Sequence, residues 1–216
     1  MNIIKELNLD PDKFRVAIFG SSRLKPESPI YKDVEELAYQ CGLMNLDVVT
    51  GGGPGLMEAG NKGHDKATDE TGSDAKSIGL RIELPFEEYP NMHMDEKKDF
   101  AKFSGRLDAF MEVSNLMVVC PGGVGTLLEL AYSWQLMQVG HIKRKPIILL
   151  GDMWDKFYDW ADSTFIAHGL ADKEDLDCLI PAPNMETAVT LIKALHQDFL
   201  KNGEDENMSF VKHKKV

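Results

Sequence analysis

The sequence predicts an open α/β sheet of the Rossmann-like, doubly wound type, mostly parallel, with helices on both faces. Three observations predict it. Four short runs are apolar throughout instead of alternating: 15–19 (RVAIF), 47–50 (DVVT), 116–120 (LMVVC) and 146–150 (PIILL), which is how strands covered on both faces read. The stretches between them carry apolar residues at helical spacing, so strands and helices alternate as βαβ units do. Three of the strand ends open into small-residue loops, at the end of an open parallel sheet where ligands bind.

Along the chain, strand 15–19 runs into Gly20-Ser21-Ser22, and a helix is expected over 30–41. Strand 47–50 runs into Gly51-Gly52-Gly53-Pro54-Gly55 and then a helix over 56–66. Residues 68–76 (TDETGSDAK) read as a polar loop, 77–84 as a weaker fifth strand, and 85–98 (PFEEYPNMHMDEKK) as a long irregular crossing; long loops in such folds often carry function. A helix over 100–113 leads into strand 116–120, the loop Pro121-Gly122-Gly123-Val124-Gly125 and a helix over 126–139. Strand 146–150 and helices over 154–168 and 185–200 complete the pattern. There is no internal repeat, low-complexity block or linker, so residues 1–200 are expected to form one nucleotide-binding domain, with 201–216 a frayed polar tail.

Composition narrows the class. Of 216 residues, 43% are hydrophobic and 27% charged, ordinary for a globular chain. Net charge is −11 with a pI near 5.0, whereas a nucleic-acid binder usually carries a basic face; no nucleic-acid partner is expected. The basic run Lys212-His213-Lys214-Lys215 reads as a solvated terminus. Cys41, Cys120 and Cys178 are few and far apart, which fits a reducing compartment better than a disulfide framework. The six histidines form no HExxH, so neither metal nor cofactor is expected. No apolar run reaches membrane-span length, and the first residues, MNIIKELNLDPDKF, lack a signal-peptide core; a cytoplasmic protein with no membrane partner is expected.

Glycine lets a ligand approach the main chain, and the second and third loops lead straight into helices, whose free N–H groups and positive dipole end suit phosphate. The dinucleotide fingerprint GxGxxG is missing after the first strand, and so is the P-loop pattern GxxxxGK[ST]. A mononucleotide or sugar phosphate is the simpler expectation.

Two charged residues stand out. Glu129 follows Thr126 by three positions, a spacing that can be a helix-capping box; beside an anion site, however, a carboxylate is costly unless chemistry needs it. Arg106 falls about 60° from Phe103 and about 40° from Phe110 on a helical wheel, in or beside the apolar face of its helix. It either snorkels to water or is partly buried and needs an anionic partner, Glu129 or a phosphate. Ser21 and Ser22 can bond a ligand or turn the chain. Met57 either packs or lies against a base. His93 reads as a bystander, and His141 as a helix cap after Gly140.

PGGVGTLLE, residues 121–129, matches the PGGxGTxxE signature of the LOG family, and TGGGPGLMEAGNKG, residues 50–63, resembles its second glycine loop. Arg106 lies fifteen residues before Pro121, where that family carries its catalytic arginine. The resemblance spans roughly residues 14–195. It implies a Rossmann-like fold, a homodimer or higher homo-oligomer, and hydrolysis of the N-glycosidic bond of nucleoside 5′-monophosphates to free base and ribose 5-phosphate. By position it implies Arg106 and Glu129 as the catalytic pair and Gly122, Gly123, Gly125 and Thr126 as the phosphate loop. Val124, Gly20, Ser21, Gly52, Gly53, Gly55 and Met57 complete the expected substrate contacts. Arg106-Leu107 followed by Asp108-Ala109-Phe110 resembles the bacterial nucleotide nucleosidases of the family more than the plant cytokinin-activating members, which have Arg-Lys there. The related molybdenum-cofactor carriers offer a non-enzymatic alternative, one that would need the loops but not the pair. The helix over 126–139 is apolar on much of its surface, from sandwiching within the domain or from a dimer interface.

Overall fold

The structure, a computed structural model, describes residues 2–82 and 91–203. Its sheet has seven strands, all paired in parallel, in the order β4-β3-β2-β1-β5-β6-β7. These are β1 (Arg15–Phe19), β2 (Asp47–Thr50), β3 (Ser77–Ile82), β4 (Glu96–Phe100), β5 (Leu116–Val119), β6 (Ile147–Leu150) and β7 (Leu179–Ala182). The four apolar runs are β1, β2, β5 and β6, four of the five inner strands, buried along their whole length.

Successive side chains along a strand face opposite layers. Val16 and Ile18 join Tyr31, Leu37, Leu56 and Leu195 on one face, contributed by α2 (Pro29–Leu43), α3 (Leu56–Thr71) and α7 (Met185–Asn202). Ala17 and Phe19 join Ile3, Phe110, Leu130 and Trp154 on the other, with α1 (Ile3–Glu6), α4 (Phe103–Val113), α5 (Val124–Gln138) and α6 (Asp155–Trp160). Phe19 and Phe110 meet edge to face at 5.0 Å, a favourable aromatic geometry. Where α2 crosses α3, a Cβ on Gly63 would collide with the Glu35 carbonyl, so only glycine permits the close approach.

Several boundaries differ from the sequence expectation. The two edge strands depart most. Residues 96–98, expected in the irregular crossing, belong to β4, and Phe100 ends that strand instead of starting a helix, so α4 begins at Phe103. β7, with Pro181 inside it, was not expected at all, and neither was α1. α3 continues into the expected polar loop as far as Thr71, ending at Gly72 in the left-handed region. The helix expected over 154–168 is α6 followed by a π-helical segment, Ala161–Ile166. Residues 83–84 of the fifth strand, 85–90 of the crossing and 204–216 of the tail lie outside the described residues; residues 201–202 are still in α7. Among the described residues no helix is long and apolar enough to cross a membrane.

From β1 the chain builds outward to β4, then returns to the other side of β1 as β5. The carboxyl ends of β1 and β5 therefore frame the switch point, where such sheets open a crevice.

Candidate active site

Three loops meet at this crevice through main-chain bonds. Ser21 N–H donates to Pro121 O at 3.1 Å, Leu56 N–H to Ser21 O at 2.9 Å, and Cys120 N–H to Phe19 O at 2.8 Å. Gly55, at φ +71°, makes the turn into α3, and a Cβ there would lie 2.5 Å from Ser21 O. Both backbone conformation and space demand glycine. Above the loops lies a cavity of about 470 Å³, within the range of small-molecule sites.

The third loop enters α5 earlier than expected. Gly123 is its N-cap and Val124 its first residue, so Thr126 lies inside the first turn and no side chain caps the helix. The Thr126–Glu129 capping box therefore does not form. The helix's own ladder starts with Leu127 N–H to Gly123 O at 3.0 Å, which leaves the N–H groups of 124–126 ahead of it as donors for a ligand. Gly123, Val124, Gly125 and Thr126 line the cavity. A Cβ at Gly123 or Gly125 would meet nothing, so backbone faces open space there. Gly122 is not on the wall: it is pressed against Thr126, whose side chain a Cβ at 122 would strike.

Glu129 projects from the second turn of α5 toward α4, where Arg106 Nη1 stands 3.5 Å from its Oε1. Arg106 is buried, so it does not snorkel to water. Its Nε donates to Leu80 O at 2.7 Å, and its guanidinium lies 5.3 Å from the centre of the Phe110 ring. Burial pushes the Glu129 carboxyl up to about 7, while Arg106 pulls the other way. A perturbed carboxyl in a cleft, beside a fixed cation, is a signature of functional sites.

Other expected residues divide. Gly20, Ser21 and Met57 line the cavity, and Ser21 Oγ also accepts from Arg23 N–H at 3.1 Å, so it turns the chain as well. Gly52, Gly53 and Gly55 do not line it; Gly52 packs against Arg81, whose Cγ would lie 2.6 Å from a Cβ there. His93 pairs with Asp65 at 2.9 Å, away from the cavity. At the end of α5 it is the main-chain N–H of His141 that bonds, to Leu136 O at 2.9 Å.

The sequence expectation missed Gly51, Arg23, Ile82 and Phe103, all on the wall. Gly51 lies against Arg106, whose Nη2 a Cβ there would strike. Phe103 was legible in principle, since it lies one helical turn before Arg106; read as part of the apolar face, it is instead 50% exposed.

Fold and site together define a doubly wound α/β protein with a cavity at the switch point, between a helix N-terminus and an arginine–carboxylate pair. Residues 57–192 match the family described as "Possible lysine decarboxylase", and the chain belongs to this family, the LOG family of the sequence signature. A pyrimidine/purine nucleotide 5′-monophosphate nucleosidase of Escherichia coli K12 is 29% identical over 161 residues, 73% of this chain and 35% of the relative; the chain thus spans about a third of the length of that relative. Among solved structures, the molybdenum cofactor binding protein of Rippkaea orientalis is 22% identical with a TM-score of 0.63, covering 85% of this chain and 98% of that one. The molybdenum cofactor carrier protein of Chlamydomonas reinhardtii is 19% identical with a TM-score of 0.63, covering 86% and 99%. At these identities the two structures speak for the shared fold.

Proposed function

We propose that the chain hydrolyses the N-glycosidic bond of nucleoside 5′-monophosphates, AMP foremost, releasing the free base and ribose 5-phosphate. The observation that carries this reading is the buried Arg106–Glu129 pair facing the same cavity as the N-terminus of α5. Likeness to the E. coli nucleosidase supports it. No lysine lines the cavity among the described residues, so the wall does not supply the amine that pyridoxal-type decarboxylation would need.

In this reading the N–H groups of 124–126 and the Thr126 hydroxyl bind the 5′-phosphate, and that remote binding positions the sugar. Cleavage builds positive charge on the ribose. The Glu129 carboxylate stabilises that charge and orients a water for attack at C1′. The C1′–N bond breaks toward the base, which leaves with a proton, while the water oxygen stays on the sugar. Arg106 favours the ionised form of Glu129 and bonds ribose or phosphate oxygens. The substrate panel is AMP, GMP, IMP, CMP, UMP and isopentenyl-adenosine monophosphate, with base release read by chromatography. AMP hydrolysis that disappears in Glu129→Ala supports the reading; full activity in that variant ends it. Tight nucleotide binding without base release favours a carrier instead.

We further propose that a second copy of this chain covers α5. Leu127 and Leu128 are each 43% exposed there, and Trp134, Phe165 and Leu170 border a further cavity of about 320 Å³. Light scattering tests it, and a clean monomer counts against it.

A further inference from the structure

Beneath the Gly51–Gly52 turn lies a set of buried polar side chains that the proposed chemistry does not touch. Asn61 on α3 is fully buried. Its Oδ1 accepts from Thr50 Oγ1 at 2.6 Å and from Asn91 Nδ2 at 2.8 Å, and its Nδ2 donates to Ser77 Oγ at 2.8 Å. Thr50 Oγ1 accepts from Gly52 N–H at 3.0 Å, and Ser77 Oγ donates to His93 O at 2.7 Å.

A hydroxyl has one proton and can accept with its lone pairs. Thr50 gives its proton to Asn61 and accepts the Gly52 N–H. Ser77 gives its proton to the His93 carbonyl and accepts from Asn61. The bonds therefore run in one consistent direction, and a buried network satisfied in this way rigidifies what it holds. What it holds is the wall behind Arg106. Gly51 lies between Thr50 and Gly52, and its Cα is packed so closely on the guanidinium that a Cβ would strike Nη2. Nε is tied to Leu80 O at 2.7 Å. A guanidinium packed on one backbone segment and bonded to another takes its position from both.

We propose that Thr50 and Asn61 are positioning residues: they fix the Gly51–Gly52 backbone, that backbone fixes Arg106, and Arg106 sets the charge on Glu129. The consequence for turnover rests on the nucleosidase reading above; the geometric claim stands apart from it. Among the described residues, the charged groups that share the cavity wall with Glu129 are Arg106 on α4 and Arg23 in the loop after β1. Drift of the guanidinium by about 1 Å from its 3.5 Å separation, at an effective dielectric of about 20, tightens proton binding at Glu129 about six-fold.

The test is a carboxyl ¹³C NMR titration of the full chain, with the Glu129 signal assigned by its loss in Glu129→Gln. Thr50→Val keeps the side-chain shape and removes the hydroxyl; Thr50→Ser keeps the hydroxyl. Proton affinity at Glu129 rises about six-fold in Thr50→Val and stays at the wild-type value in Thr50→Ser. If Thr50→Val does not fold, Thr50→Ala set against Thr50→Ser makes the same comparison. A wild-type titration in the variant lacking the hydroxyl, or an equal shift in Thr50→Ser, overturns the relay. If the shift appears as expected but wild-type protein releases no base from any monophosphate, the nucleosidase reading fails and the relay remains.

Discussion

Two arginine–carboxylate pairs sit at opposite ends of the sheet, and they are built differently. At the amino ends of β1 and β2, Arg15 and Asp47 meet at 3.2 Å with only 3% and 2% of their side chains exposed. Main chain closes around both: Asp47 Oδ1 accepts Lys76 N–H at 2.8 Å, and the Arg15 guanidinium donates to the carbonyls of Lys13 and Asp10. At the carboxyl ends, Arg106 and Glu129 meet at 3.5 Å on the wall of a cavity. Burial raises both carboxyls. At Asp47 a main-chain N–H and Arg15 oppose it, whereas at Glu129 the opposing influence is Arg106 and the group settles at about 7. A pair enclosed by backbone is a clasp; a pair with one side open to a cavity is accessible from it.

The sharpest way to break this comparison is to cut each pair and exchange the readouts. Asp47→Ala strands a buried arginine and should lower the unfolding free energy by about 3–5 kcal/mol, measured in urea, with kcat per folded molecule unchanged. Glu129→Gln should lower kcat/KM for AMP by about 10²–10³, the scale for removing one electrostatic stabiliser of a transition state, without loss of stability. An Asp47→Ala protein that folds normally and fails to turn over would reverse the assignment.

The same contrast between enclosed and open explains what was legible in the sequence. Inner strands are covered on both faces, so RVAIF, DVVT, LMVV and IILL declare themselves. The edge strands do not. β4 reads EKKDF because one face meets water and charge guards an edge; β7 tolerates Pro181 because an edge strand can forgo a ladder donor. At the site, Glu129 and Arg106 were readable because each is a charge set among apolar or glycine neighbours. The division of labour among the glycines was not readable. Gly51 touches the guanidinium while Gly52 packs on Arg81, a distinction that exists only once β3 and α4 are in place. The start of α5 misled for a local reason: the helix was expected from Thr126, but Gly123 takes the N-cap position and the helix begins at Val124.

A smaller effect sharpens the picture of Glu129 as a group held off its comfortable charge state. Its folded value of about 7 lies above the unfolded 4.5, so the folded chain binds this proton more tightly. That contribution to stability is fully present below pH 4.5 and is lost as pH rises through about 7. The offset corresponds to about 3 kcal/mol. In urea titrations from pH 4.5 to 8.5, the wild type should lose about that much relative to Glu129→Gln, which lacks the titrating group. Activity runs the opposite way: kcat/KM for AMP should climb through about pH 7 as the carboxylate forms. A flat stability difference across this range would mean that Glu129 is not strained by burial.

The least effect is expected at a third pair, which shows how much enclosure matters. His93 and Asp65 meet at 2.9 Å, closer than Arg106 and Glu129, yet their side chains are 35% and 40% exposed. Water competes for both partners. A hydrogen bond this open to solvent contributes about 0–1 kcal/mol, so His93→Gln should change the urea midpoint by no more than that corresponds to. Its ring lies away from the cavity, so AMP hydrolysis should not change. A loss of turnover in His93→Gln would make this histidine more than a surface partner of Asp65, and would mean that distance within a pair, not access to the cavity, decides which pair serves the chemistry.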